Sequence, residues 1–142
     1  MRNTPDKFFL DSNIWFSYFH GSANCEKILE AHLEGKIKAV ISRHVLEEVV
    51  INLRKKLPLS IPAFKNFMGS YPPIVLKNPT KITPKVKVNV DSKDQIILQS
   101  AVNAKVKYFV TGNTKDFSVE NLKKIYKIEI LTPKQAVKKL KL

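Results

Sequence analysis

Aspartate occurs only five times in these 142 residues, as Asp6, Asp11, Asp91, Asp94 and Asp116. Asp11 directly follows the apolar run Phe8-Phe9-Leu10, and Asp116 lies five residues past Thr111, which ends a second apolar run. Asp91 and Asp94 open a segment that is apolar nearly all round, while Glu47 and Glu48 fall in the first turns of a helical pattern beginning at Ser42. Each has an ordinary reading by itself. Asp91 and Asp11 can cap helices, Asp116 can close a turn, and one of the two glutamates is surface charge. Angular position does not choose between Glu47 and Glu48, because both lie away from the apolar stripe. Taken together, these segments place acids where strand ends and helix starts converge. Converging carboxylates raise one another's pKa unless a cation neutralises them, and residues 8–19 contain no Lys or Arg. An oxygen-rich acidic cleft of this kind suits one or two Mg²⁺ or Mn²⁺ ions. Such ions polarise a phosphoryl oxygen and activate water for phosphodiester hydrolysis.

The elements that must hold these acids follow from hydrophobic periodicity. Phe8-Phe9-Leu10, residues 37–41, 74–76, 108–111 and 128–131 read as short strands, the continuous apolar runs being suited to strands covered on both faces. Between them lie helical patterns from Ser12, near residues 25–34, from Ser42 through Leu57, over 60–68, 92–104 and 119–126, and after Thr132-Pro133. Ser42 and Thr132 are suited to capping, with Pro133 at the first helical position. Residues 71–90, punctuated by Pro72, Pro73, Pro79 and Pro84, read as a short strand followed by a basic loop. Asp94 continues the Leu98/Ala101 face of its helix and should point inward or to a cleft edge. The alternation predicts a single domain over residues 1–142, a three-layer α/β/α fold around a mostly parallel sheet of about five strands. In open sheets of this type, sites form beyond the carboxyl ends of the strands.

Charge adds a second field. The chain carries 25 Lys+Arg against 12 Asp+Glu, for a net +13, which favours polyanionic partners, nucleic acid first. The excess is concentrated in the second half: residues 71–142 are net +10 and residues 1–70 net +3. Lys77, Lys81, Lys85 and Lys87 fall in a stretch without a carboxylate, while Arg43, Lys93 and Lys115 stand beside the acidic segments. With only three arginines in the chain, phosphate contacts are favoured over bidentate reading of bases. The single Cys25 excludes an intramolecular disulfide and a Cys-rich zinc site. No apolar stretch is long enough to span a bilayer, and no secretory signal pattern is present, so a cytoplasmic location is expected. Nor is there a P-loop, a nucleophile elbow or a dinucleotide fingerprint.

At its acidic segments the chain resembles the PIN-domain ribonucleases, a family that includes the VapC-type toxins of toxin–antitoxin pairs. Phe9-Leu10-Asp11-Ser12-Asn13 is similar to the family's opening motif, and Ser42-Arg43-His44-Val45-Leu46-Glu47-Glu48 to its second, whose acid aligns best with Glu48. Asp91-Ser92-Lys93-Asp94, with Leu98 and Ala101, resembles the third, and Val110-Thr111-Gly112-Asn113 with Lys115-Asp116-Phe117 the fourth. Each is a weak pattern alone, but all four in order are fairly specific, and they cover nearly the whole chain. The chain departs from many members in having Asn113 where they have Asp, which puts the second metal in doubt.

The resemblance implies a metal-dependent endoribonuclease. Asp11, Glu48, Asp94 and Asp116 would be the metal-binding and catalytic acids, with Thr111, Asn113 and Asp91 in support. Arg43, Lys77, Lys81, Lys85, Lys87, Lys93 and Lys115 would track the RNA backbone. A small antitoxin protein and a homodimer are the further partners it implies. The rival readings are a PIN-fold RNA-processing nuclease without antitoxin and a non-catalytic RNA-binding domain with a degenerate metal site. A receiver-like phosphoacceptor domain is disfavoured, because Asp6 and Asp11 straddle the first strand and residues 37–41 lead into Ser42 rather than an Asp.

Overall fold

A computed structural model describes residues 4–142. The chain alternates β1 (Lys7–Leu10), α1 (Ser12–His20), α2 (Ala23–Leu33), β2 (Lys38–Ser42), α3 (Arg43–Lys56), α4 (Ile61–Ser70) and β3 (Ile74–Leu76). It continues through α5 (Pro84–Asn89), α6 (Gln95–Asn103), β4 (Tyr108–Val110), α7 (Val119–Tyr126), β5 (Glu129–Leu131) and α8 (Pro133–Leu140). The strands form one five-stranded sheet in the order β3-β2-β1-β4-β5, and every pairing is parallel. The sheet is thus parallel throughout, flanked by helices as the three-layer expectation requires. Among the described residues no helix is long and apolar enough to cross a membrane.

Parallel strands covered on both faces need apolar residues at successive positions. Phe8, Phe9 and Leu10 in β1, and Phe109 and Val110 in β4, are accordingly fully buried. Cross-strand aromatic pairs set the β1–β4 register: Phe8 stacks on Tyr108 with centroids 4.4 Å apart, and Phe9 on Phe109 at 5.0 Å. That register aligns Leu10 with Val110, so the next residues, Asp11 and Thr111, emerge side by side. The strand order also places them with purpose. Successive strands run outward from β1 through β2 to β3, and the chain then returns to the other side of β1 as β4. The reversal lies between β1 and β4, where the following connections diverge and leave a crevice at the carboxyl ends.

Local chemistry starts the helices where the sequence indicates. Ser42 Oγ accepts from Val45 N at 3.2 Å, and Thr132 with Gln135 forms a reciprocal capping box behind Pro133. Trp15 lies in the core and donates its indole Nε1–H to Leu10 O at 3.1 Å, tying α1 to the end of β1. Cys25 is packed in the core.

Two expected elements differ. The stretch after β3 is not wholly a basic loop, because α5 carries Lys85 and Lys87 on a helix. Pro84 begins that helix, Val86 and Asn89 bury one side of it, and Gln95 Nε2 donates to Lys87 O and Val90 O at its end. The few apolar residues between the lysines are enough to dock it. The segment after Asp91 begins with a 3₁₀ turn, Ser92–Asp94, before α6 starts at Gln95. Asp94 therefore stands at the junction, rather than inside a regular first turn.

Candidate metal centre

Asp11 is the innermost acid. Its residue surface is only 7% exposed, and each carboxylate oxygen accepts one bond, Oδ1 from Ser12 N at 2.8 Å and Oδ2 from Thr111 Oγ1 at 2.9 Å. Thr111 Oγ1 in turn accepts from Asn113 N at 3.2 Å, so the hydroxyl has one proton to give and gives it to Asp11. Burial is the largest influence on Asp11 and raises its pKa, opposed by those two bonds and the nearby His44. Gly112 lets the strand-end loop pass close to α1: a Cβ there would lie 3.1 Å from Asn13 Nδ2.

α3 decides between the two glutamates. Glu47 is exposed, whereas Glu48 turns toward the crevice and its Oε1 is buried without a hydrogen-bond partner. Burial raises the Glu48 pKa; His44 lowers it, Asp11 raises it, and the Ser12 hydroxyl lowers it. His44 is thus part of the crevice wall, its Nε2 4.0 Å from Glu48 Oε2.

The third and fourth acidic segments are joined by backbone. Val90 and Phe117 form an antiparallel bridge, extended by Asp91 N to Asp116 O at 2.9 Å and Ser118 N to Asn89 O at 2.8 Å. The buried Asn89 side chain reinforces the junction by accepting from Asn121 Nδ2 at 3.1 Å and donating to Lys85 O at 2.7 Å. This clamp brings one oxygen each of Asp91, Asp94 and Asp116 within 4.8 Å of one another. Asp91 also caps the 3₁₀ turn, accepting from Ser92 N at 3.0 Å. Asp94 is pushed up to about 6, by burial first and then by the fields of Asp11 and Asp116. Those fields link the trio to Asp11, and Asp11 to Glu48.

The four expected acids therefore border one crevice, but the tightest grouping includes Asp91, which the sequence reading placed only in support. Asn113 is exposed and bonds through its main chain, its N–H donating to Thr111 Oγ1 and its carbonyl accepting from Asp116 N at 3.1 Å. The basic residues divide. Arg43, Lys77, Lys81, Lys85, Lys87 and Lys115 are exposed and, among the described residues, make no ion pair with a carboxylate. Lys93 is different: its Nζ lies 3.5 Å from Asp116 Oδ2 and 3.9 Å from Asp91 Oδ2, and these acids raise its pKa.

The crevice fits a hard divalent cation. Glu48 Oε1, Asp94 Oδ2 and Asp116 Oδ2 are buried without hydrogen-bond partners; the Lys93 ammonium faces the last of these at 3.5 Å, and the other two are costly unless a cation completes them. The donors are all carboxylate oxygens, as Mg²⁺ and Mn²⁺ prefer.

Sequence reasoning missed the groups that hold this frame. His32 is buried, its Nδ1 accepting from Ala39 N at 3.1 Å and its Nε2 2.9 Å from Tyr71 O. Gln99 accepts from Thr83 N at 2.9 Å and fixes the start of α5. A polar residue interrupting an apolar stripe is the signal that could have flagged Gln99. His32 had no comparable spacing to betray it.

A PIN domain family profile matches residues 7–115, spanning all four acidic segments up to the residue before Asp116. The chain belongs to the PIN domain family. Two solved structures are similar in fold. VapBC2 from Rickettsia felis, bound to a DNA fragment from their promoter, has a chain with TM-score 0.63 and 17% identity, the match covering 89% of this chain and 98% of that one. DNA-bound VapBC from Salmonella typhimurium gives TM-score 0.63 and 20% identity, covering 90% of this chain and 98% of that one. No curated protein sequence matches significantly.

Proposed function

We propose that this protein is a metal-dependent endoribonuclease that uses Mg²⁺ or Mn²⁺ to hydrolyse RNA phosphodiester bonds. The observation that carries the reading is the pair of buried oxygens of Glu48 and Asp94 without a hydrogen-bond partner, gathered with Asp116 beside Asp11 at the strand-order reversal. In this reading Asp11, Glu48, Asp94 and Asp116 are the metal ligands and the catalytic acids. When bound, the ion supplies polarisation of the scissile phosphate and activation of water. Thr111 orients Asp11 through its hydroxyl, and Asn113 orients Thr111 through its main-chain N–H, as outer groups do around metal ligands. Asp91 closes the outer end of the acidic row. The unpaired Arg43, Lys77, Lys81, Lys85, Lys87 and Lys115 draw the RNA backbone toward the crevice, supplying affinity without sequence identity.

The same reading makes the protein a cytoplasmic toxin restrained by a small antitoxin protein, supported by its fold likeness to chains of VapBC structures. It also includes a homodimer, for which Ile51, half-exposed on α3, offers apolar surface. The decisive experiment incubates the purified chain with structured and single-stranded RNAs in Mg²⁺, Mn²⁺ or EDTA. Cleavage should need the divalent ion and be abolished by Asp11→Asn or Asp94→Asn, both checked for folding. Unchanged cleavage in either folded variant would overturn the assignment, and RNA binding without cleavage in any metal would favour a binding module. For the toxin reading, expression should arrest growth, and the product of an adjoining small reading frame should relieve it.

A further inference from the structure

The row of acids is electrostatically lopsided. At its outer end Lys93 Nζ lies 3.5 Å from Asp116 Oδ2 and 3.9 Å from Asp91 Oδ2. These two carboxylates belong to the trio whose oxygens approach within 4.8 Å. At its inner end Asp11 and Glu48 have no Lys or Arg in an ion pair among the described residues, and the basic group facing them is His44. The backbone that carries Lys93 is held in place. Residue 93 lies within the Ser92–Asp94 turn, closed by Asp94 N to Asp91 O at 2.9 Å and anchored by Asp91 N to Asp116 O at 2.9 Å. Its side chain thus leaves the backbone between two of the acids, Asp91 and Asp94, and a tethered group so placed acts at high effective concentration.

We propose that Lys93 occupies the outer cation position between Asp91 and Asp116 and thereby limits the site to one divalent ion, held by Asp11, Glu48 and Asp94, with Asp116 paired to Lys93 in place of the ligand role given to it above. The inference rests on the metal-site reading given above and assigns Lys93 a role other than free contact with RNA. A second divalent ion entering at Asp91 and Asp116 must displace an ammonium that neutralises the same oxygens. The displaced ammonium then repels that ion from a few ångströms away. At a solvent-exposed site this repulsion weakens the second ion by about tenfold.

The test counts ions and does not use catalysis. Mn²⁺ is titrated calorimetrically into the wild-type chain, Lys93→Gln and Lys93→Arg at fixed pH and ionic strength, and bound Mn²⁺ is checked by equilibrium dialysis. The wild-type chain should take one ion per chain. Lys93→Gln should take a second, or bind it about tenfold more tightly than wild type does, and Lys93→Arg should return the count to one. Two equally tight ions on the wild-type chain, or a single ion on Lys93→Gln with unchanged affinity, would overturn the role of Lys93 and leave the metal centre standing. No Mn²⁺ on either protein would overturn both.

Discussion

Replacing Asp94 by Asn should stabilise the metal-free protein while removing its metal site. Asp94 Oδ2 is buried without a hydrogen-bond partner, and burial with the fields of Asp11 and Asp116 raises its pKa from 3.8 to about 6. The folded chain therefore holds the Asp94 proton more tightly than the unfolded chain. Between pH 3.8 and about 6 the folded state binds more protons, so stability falls as pH rises through that window and the full penalty stands above it. A shift of about two units corresponds to at most about 3 kcal/mol. Asp94 is only partly buried, and solvent screening brings the expected effect to about 1 kcal/mol. Asp94→Asn removes the penalty and should raise the melting temperature by about 3 °C at pH 7.5, with the gain disappearing below pH 4. Mg²⁺ or Mn²⁺ should reverse the order: at one hundred times its dissociation constant an ion stabilises the wild-type chain by about 2.7 kcal/mol and leaves Asp94→Asn nearly unmoved. The assay is thermal unfolding of both proteins across pH 4–8, with EDTA and with each ion. A variant that is no more stable than wild type at pH 7.5 in EDTA, or whose advantage persists unchanged at pH 4, refutes the electrostatic argument.

Other perturbations test the supports. Thr111→Val keeps the shape but removes the donor to Asp11 Oδ2 and the acceptor for Asn113 N; denaturant unfolding at pH 7 should show a loss of about 1–3 kcal/mol. Burial lowers the His32 pKa below its ordinary 6.5, so the stability it contributes stands above pH 6.5 and is lost as pH falls toward the folded value. Relative to His32→Gln, the wild-type chain should therefore lose stability on acidification from pH 7 to 5, and parallel pH profiles would count against a neutral, accepting imidazole. Lys85→Ala with Lys87→Ala should weaken single-stranded RNA binding across sequences and reduce the salt slope by about 1.4. An unchanged slope would move the RNA path away from α5.

Much of the frame was legible because it rests on neighbours in sequence. The run Phe8-Phe9-Leu10 has no polar residue to face water, so it reads as an interior strand, and Asp11 must then stand at its end. Ser42 and Thr132 announce their helices because a cap acts within three residues. The lysine-rich stretch misled for the opposite reason: its charges are local and conspicuous, but α5 is decided by Val86 and Asn89 packing against partners distant in sequence.

The division at the acidic crevice follows the same physics. Residue type and spacing determined which acids were available, that they would stand at strand ends and helix starts, and that oxygen ligands would suit a hard cation. Tertiary structure decided which of them meet. The docking of α3 sends Glu48 inward and leaves Glu47 in solvent. The Val90–Phe117 bridge joins segments 27 residues apart and draws Asp91 into the same cluster as Asp94 and Asp116. Thr111 reaches Asp11 only because the β1–β4 register ends both strands together. Carboxylates repel one another, so nothing in their own chemistry would assemble them; buried aromatic pairs and backbone hydrogen bonds hold them together, and the energy of that packing depends on the whole fold.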